Sequence, residues 1–145
     1  MKDLLLKSPA FENNKKIPLK YTCDGTNISP PLTIEGIPDE AKTLALIVDD
    51  PDAPSGTFDH WVVWNIRAST NKIDENKAPG TEGMNSARER GYHGPCPPSG
   101  THRYFFKVYA LDTSLDLSAK SKKKDVEKAM GGHVLAKGEL IGLYR

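Results

Sequence analysis

At 145 residues, 37% of them hydrophobic, the chain is sized for one domain (1–145) with a single substantial core. Twenty basic against 19 acidic residues leave a formal charge of +1, which argues against nucleic-acid binding through a basic face. The longest apolar run, Leu44 to Val48, is far short of the about 20 residues of a membrane span, and Leu4-Leu5-Leu6 is too short for a signal peptide's apolar stretch of roughly 7 to 15. No integral membrane segment is therefore expected, and as a full precursor the chain is expected in the cytoplasm.

In chain order, the first strand falls at Leu4–Leu6. A loop, Thr22-Cys23-Asp24-Gly25, follows. Thr43–Val48 is apolar on both faces and predicts a central strand covered on both sides. It runs into Asp49-Asp50-Pro51-Asp52-Ala53-Pro54, a stiff acidic loop, and then into a strand from His60 to Arg67. From Ala68 to Gly100 the large apolar residues are Ile73, Met84 and Tyr92 alone, which predicts a long functional loop without clear elements and leaves His93 facing solvent. That loop ends in Gly94-Pro95-Cys96-Pro97-Pro98-Ser99-Gly100, whose prolines and glycines set the backbone ahead of the strand Arg103–Leu111. On that strand Tyr104, Phe106, Val108 and Ala110 share one face, and Phe105, Lys107, Tyr109 and Leu111 the other. A helix is expected after Ser121 as N-cap, with Asp125 and Glu127 early, Val126, Ala129 and Met130 as its apolar stripe and Gly131-Gly132 as its stop. The run Lys122-Lys123-Lys124 is then its solvated start. A short second helix is placed around His133–Ala136, and a last strand at Glu139–Tyr144.

The two stiff loops each lead to a histidine, His60 and His102, and one supplies aspartates. Two imidazoles, the Tyr104 phenol and exposed loop amides can hold an oxyanion, and an aspartate beside an imidazole fixes its tautomer and raises its pKa. Apolar neighbours complete a pocket of the usual kind, with few convergent polar groups in a mostly apolar cleft. Other chemistries are weaker. Ser99, Thr101 and Cys96 are local nucleophile candidates, but there is no G-x-S-x-G. His60, His102, Asp50 and Asp52 have ligand chemistry but no metal-binding spacing, and no cofactor is implied. Asp49, Asp50 and Asp52 also suit simple Asx turns, and His133 a structural role. Cys23 and Cys96 are either two free thiols or one bridge; a reducing compartment favours the thiols.

These motifs resemble the phosphatidylethanolamine-binding proteins, the Raf kinase inhibitor-like family, in its bacterial and archaeal branch. The resemblance is carried by Asp50-Pro51-Asp52-Ala53-Pro54, His60-Trp61, Gly94-Pro95-Cys96-Pro97-Pro98 and His102-Arg103-Tyr104, together with Asn27-Ile28-Ser29-Pro30-Pro31-Leu32 and Gly132-His133-Val134-Leu135-Ala136. It covers nearly the whole chain. It implies a mostly β fold, a large antiparallel Greek-key sheet packed with a smaller sheet and a few short helices. It further implies a pocket for phosphate, phosphorylated headgroups or small carboxylates, lined by Asp50, Asp52, Pro54, His60, Trp61, Gly94, Cys96, Pro97, His102 and Tyr104, with a cis peptide before Pro54. The same resemblance implies that the Cys23 loop comes near the Cys96 loop, close enough for the bridge alternative. No C-terminal lid helix follows, so the pocket is expected to be open, favouring small anions over lipid tails and leaving surface free for a homodimer. Family members also inhibit protein kinases or proteases by docking, for which the loop Ala68–Gly100 is the expected surface. An Asp/His phosphoester hydrolase is the remaining alternative.

Overall fold

The strands that the apolar runs predict are present, and the residues between them add several short ones. The computed structural model describes residues 2–145. Its elements are β1 (Lys2–Asp3), β2 (Leu5–Lys7), β3 (Lys15–Lys16), a 3-10 turn (Leu19–Tyr21), β4 (Leu32–Glu35), β5 (Thr43–Asp50), β6 (Phe58–Arg67), β7 (Lys72–Ile73), β8 (Thr81–Glu82), β9 (His102–Leu111), α1 (Lys123–Met130) and β10 (Val134–Tyr144). The main sheet runs β1-β10-β9-β5-β6-β8, with β3 also on β10, and a three-stranded sheet runs β2-β4-β7. β5, β6 and β8 pair antiparallel in succession and β9 returns beside β5, which is the Greek-key order. The main sheet is not purely antiparallel, because β1 and β3 both join β10 in parallel.

The central strands are apolar on both sides because the main sheet is covered on both. Leu44, Leu46, Val48, Trp61, Val63, Phe106 and Val108 pack against Leu6, Leu32, Ile34 and Ile73 of the small sheet. Ala45, Ile47, Val62, Trp64 and Leu111 pack against Val126 and Met130 of α1. The expected alternation of β9 holds: His102, Tyr104, Phe106, Val108 and Ala110 are buried, and Arg103, Phe105, Lys107 and Tyr109 are not.

Several expectations are corrected. Lys122, not Ser121, caps α1; its backbone N–H donates to Asp125 Oδ2 at 2.9 Å, while the Ser121 carbonyl accepts from Met84 N–H. Lys123 is not a solvated lysine: it reaches Asp49 Oδ2 at 3.3 Å and Asp59 Oδ1 at 2.9 Å, joining α1 to the β5–β6 edge. Residues 133–136 form no helix. Val134 already pairs with Leu111, so β10 starts there, and His133 Nδ1 lies 2.7 Å from Asp112 Oδ1. The segment from Ala68 to Gly100 is not free of elements, since β7 closes the small sheet and β8 the edge of the main one. Pairing across the chain supplies these strands, which are too short to show a period of their own.

Candidate functional site

The cavity lies where the C-terminal end of β5 meets the starts of β6 and β9. Asp50 is the last residue of β5 and His102 the first of β9. The two are 52 positions apart in sequence, and their side chains meet with His102 Nδ1 2.6 Å from Asp50 Oδ2, both nearly buried. The other carboxylate oxygen of Asp50 accepts the Asp52 N–H at 2.8 Å. The aspartate thus closes an Asx turn and orients the imidazole at once.

His60 reaches the same face through a backbone irregularity. Val48 pairs with Trp61 but Asp49 pairs with Asp59, so His60 is the extra residue of a β-bulge. Strict alternation would have sent His60 and Trp61 to opposite faces. The bulge instead turns His60 into the cavity while Trp61 stays in the core beneath it. His60 Nδ1 lies 2.6 Å from the His93 carbonyl oxygen. A carbonyl only accepts, so Nδ1 carries the proton and donates it. Burial, the main cause, holds His60 down at about 4 despite that bond, with the charge of His93 pushing the same way. The aspartate expected beside an imidazole therefore acts on His102 and not on His60, whose Nδ1 partner is a neutral carbonyl.

The cavity has a volume of about 270 Å³ and is lined by Asp50, Pro54, His60, Cys96, Pro97, His102 and Tyr104 among the residues named from the sequence. Ring centroids place Tyr104 5.2 Å from His60, edge on, and 6.4 Å from His102. Burial, and next the Asp50 charge, push the Tyr104 phenol up, so it stays protonated.

Three of the named residues do not line the cavity. Trp61 is fully buried, donates its indole N–H to Glu82 Oε2 at 2.7 Å and meets Tyr92 edge on. Asp52 grips Arg103, accepting from its backbone N–H, Nε and Nη2 at 2.8–2.9 Å. Those bonds, the side-chain one first, hold Asp52 down at about 2 and tie the loop after β5 to the start of β9. Gly94 is a point of close approach. Its N–H donates to Asn27 Oδ1 at 2.9 Å, and a Cβ there would stand 2.2 Å from that oxygen and 2.7 Å from the Tyr21 carbonyl oxygen. Gly94→Ala is expected to cost about 1–3 kcal/mol as an overpacked contact, read as a lower urea midpoint at unchanged slope.

The lining also includes residues not picked out from the sequence: Ala53, Ser55, Gly56, Phe58, His93 and Pro98. Phe58 could have been found two positions before His60. His93 lines the cavity while staying partly exposed to solvent, its ring 5.9 Å from that of His60, and its N–H donates to the His60 carbonyl at 2.9 Å. No peptide bond among the described residues is cis, the one before Pro54 included. Cys23 and Cys96 form a disulfide with a Cα–Cα distance of 5.4 Å. The Cys23 N–H also donates to the Pro95 carbonyl at 3.1 Å. Bridge and bond together tether the Pro/Gly wall of the cavity to the loop after the 3-10 turn.

Fold and site define a two-sheet β protein with a small, mostly apolar cavity at one end of its main sheet, carrying an Asp-held histidine. A family model described as phosphatidylethanolamine-binding protein matches residues 7–145, and the chain belongs to that family. A protein of Methanothermobacter thermautotrophicus described as a UPF0098 protein is 54% identical over 97% of both chains. A UPF0098 protein of Pyrococcus horikoshii is 51% identical over 94% of this chain and 74% of its own. Among solved structures, a phosphatidylethanolamine-binding protein homologue from Chlamydia trachomatis matches with a TM-score of 0.96 at 41% identity, covering 100% of this chain and 99% of that one. YbcL of E. coli, described as a member of the mammalian family, matches with a TM-score of 0.91 at 28% identity, covering 99% and 98%.

Proposed function

We propose that the protein is a non-enzymatic binding protein whose cavity takes a small oxyanion: a phosphate, a phosphorylated headgroup or a small carboxylate. The observation that carries this is His102, held through Nδ1 by buried Asp50 at the cavity wall, with no hydrogen-bond partner for Nε2 among the described residues. When Nε2 carries a proton it donates to an anion in the cavity, and the Asp50 carboxylate at Nδ1 balances the added charge. The cavity volume suits a headgroup-sized ligand rather than an acyl chain. A hydrolase reading loses one nucleophile, since Cys96 is bonded to Cys23. Docking to a kinase or protease has less support than the cavity, because Ala68–Gly100 is stitched into both sheets. For a homodimer, the large hydrophobics exposed among the described residues are Leu5 and Leu19. No helix among the described residues is long and apolar enough to cross a membrane. A cytoplasmic location then needs a compartment that is not strongly reducing, given the disulfide and exposed Cys96.

Titration with phosphate and phosphoethanolamine, followed by NMR of the histidine side chains, tests this reading. Shifts at His102 and His60 that saturate are expected, and His102→Ala should weaken binding by about 1.5–3 kcal/mol, the loss of a charge-assisted hydrogen bond. An unchanged dissociation constant in that variant removes His102 from the site.

A further inference from the structure

Of the three histidines that line the cavity, His60 and His102 are not equivalent. His102 spends Nδ1 on a carboxylate, so a second proton on its ring is balanced by Asp50. His60 spends Nδ1 on the neutral carbonyl of His93 and is 4% exposed. The groups around it are Phe58, the His93 ring and Tyr104, with the charges of Asp50 and Asp59 acting from farther off. Its Nε2 has no hydrogen-bond partner among the described residues, and the ring borders the cavity. A neutral imidazole with Nδ1–H offers a lone pair at Nε2, which accepts a hydrogen bond and repels a bare anionic oxygen.

Resting on the anion-pocket reading above, we propose that the cavity selects oxyanions that carry their own acidic proton: dihydrogen phosphate or the monoanion of a phosphomonoester. An ionised oxygen sits on His102 Nε2–H, and the P–OH donates to His60 Nε2. Fully ionised sulfate, carboxylates and phosphodiesters lack that O–H and leave the His60 lone pair facing an acceptor. A phosphodiester headgroup, as in an intact phospholipid, is disfavoured by the same atom. If such a ligand instead protonates His60, at about pH 6 it must draw on an imidazolium present in about one molecule in a hundred, two pH units above the group's value of about 4. Sites built to pair a ligand hydroxyl reject analogues without it far more strongly than apolar pockets reject a misfit methylene.

Calorimetry at about pH 6 and constant ionic strength, with phosphate, methyl phosphate, sulfate and dimethyl phosphate, separates the possibilities. A phosphomonoester has its second pKa near 6, so its monoanion is well populated there. Methyl phosphate monoanion and dimethyl phosphate carry the same charge and differ in the O–H. Phosphate and methyl phosphate should bind at least about tenfold tighter than sulfate and dimethyl phosphate. His60→Asn, whose amide can still donate to the His93 carbonyl but which lacks Nε2, should bring the four together. Sulfate and dimethyl phosphate binding as tightly as the protonated pair, with all four weakened by His102→Ala, would overturn proton matching and leave the anion pocket standing. A preference that survives in His60→Asn would overturn the role of His60. Binding of none of the four would remove the anion pocket and this proposal with it.

Discussion

Replacing Cys23 and Cys96 together with serine is expected to lower the unfolding free energy by about 2–4 kcal/mol. The bridge closes a loop across a sequence separation of 73. In the chain-entropy account a loop of that length restricts the unfolded ensemble by about 4 kcal/mol, with native-state accommodation reducing the observed value. The loss should fall first on the cavity. Cys96 is itself part of the wall, and the neighbouring Pro97 and Pro98 line it too. Backbone bonds from Cys23 to Pro95 and from Gly94 to Asn27 remain in the variant, so the wall loosens rather than unfolds. Urea unfolding with and without a thiol reductant checks this. The reduced wild-type midpoint should approach that of the double serine variant, and the variant should not respond to reductant. A wild-type midpoint indifferent to reductant would mean that the bridge contributes nothing to stability.

His60 is expected to make stability fall with acid over a defined window. Its folded value is about 4 against an ordinary 6.5, so between these pH values the unfolded chain binds more protons than the folded one. Its contribution is therefore complete above pH 6.5, declines as the pH falls toward 4, and changes no further below that. The integrated loss from this group is about 3 kcal/mol, at about 1.4 kcal/mol per pH unit. The direction is opposite to that of a histidine gaining a carboxylate partner, because the Nδ1 partner of His60 is a neutral carbonyl in a buried setting. Other groups titrate in the same range, so the diagnostic quantity is the difference between wild type and His60→Asn. That difference should change by about 3 kcal/mol between pH 6.5 and 4. A flat difference would mean that the ring is hydrated in the folded protein, and the lone pair invoked for ligand selection would lose its basis.

The strands carrying the site were legible from particular residues. Thr43–Val48, apolar at every position from Leu44 on, read as a strand covered on both faces, and the alternation after Arg103 placed Tyr104 and Phe106 together. Asp50 and His102 stood out because each flanks a stretch stiffened by proline. His93 and the true environment of His60 did not. The one depends on a hydrogen bond between loop and strand, the other on a bulge that only the partner strand defines. Lys123 likewise looked like one member of a charge run, because Asp49 and Asp59 lie on strands distant in sequence.

By itself, then, the chain determined what depends on near neighbours: where the long central strands run, which faces they bury, and where proline and glycine restrict the backbone. Side-chain alternation and φ restriction are local, so they can be read locally. Tertiary structure decided what depends on register and on meetings across the fold. It set the bulge that turns His60 into the cavity, the Asp50–His102 pair, the Cys23–Cys96 bridge and the burial that keeps His60 neutral. The bulge depends on the register of the β5–β6 pair and the others on positions 33 to 73 residues apart coming within bonding distance, and no local pattern encodes which partner will be there.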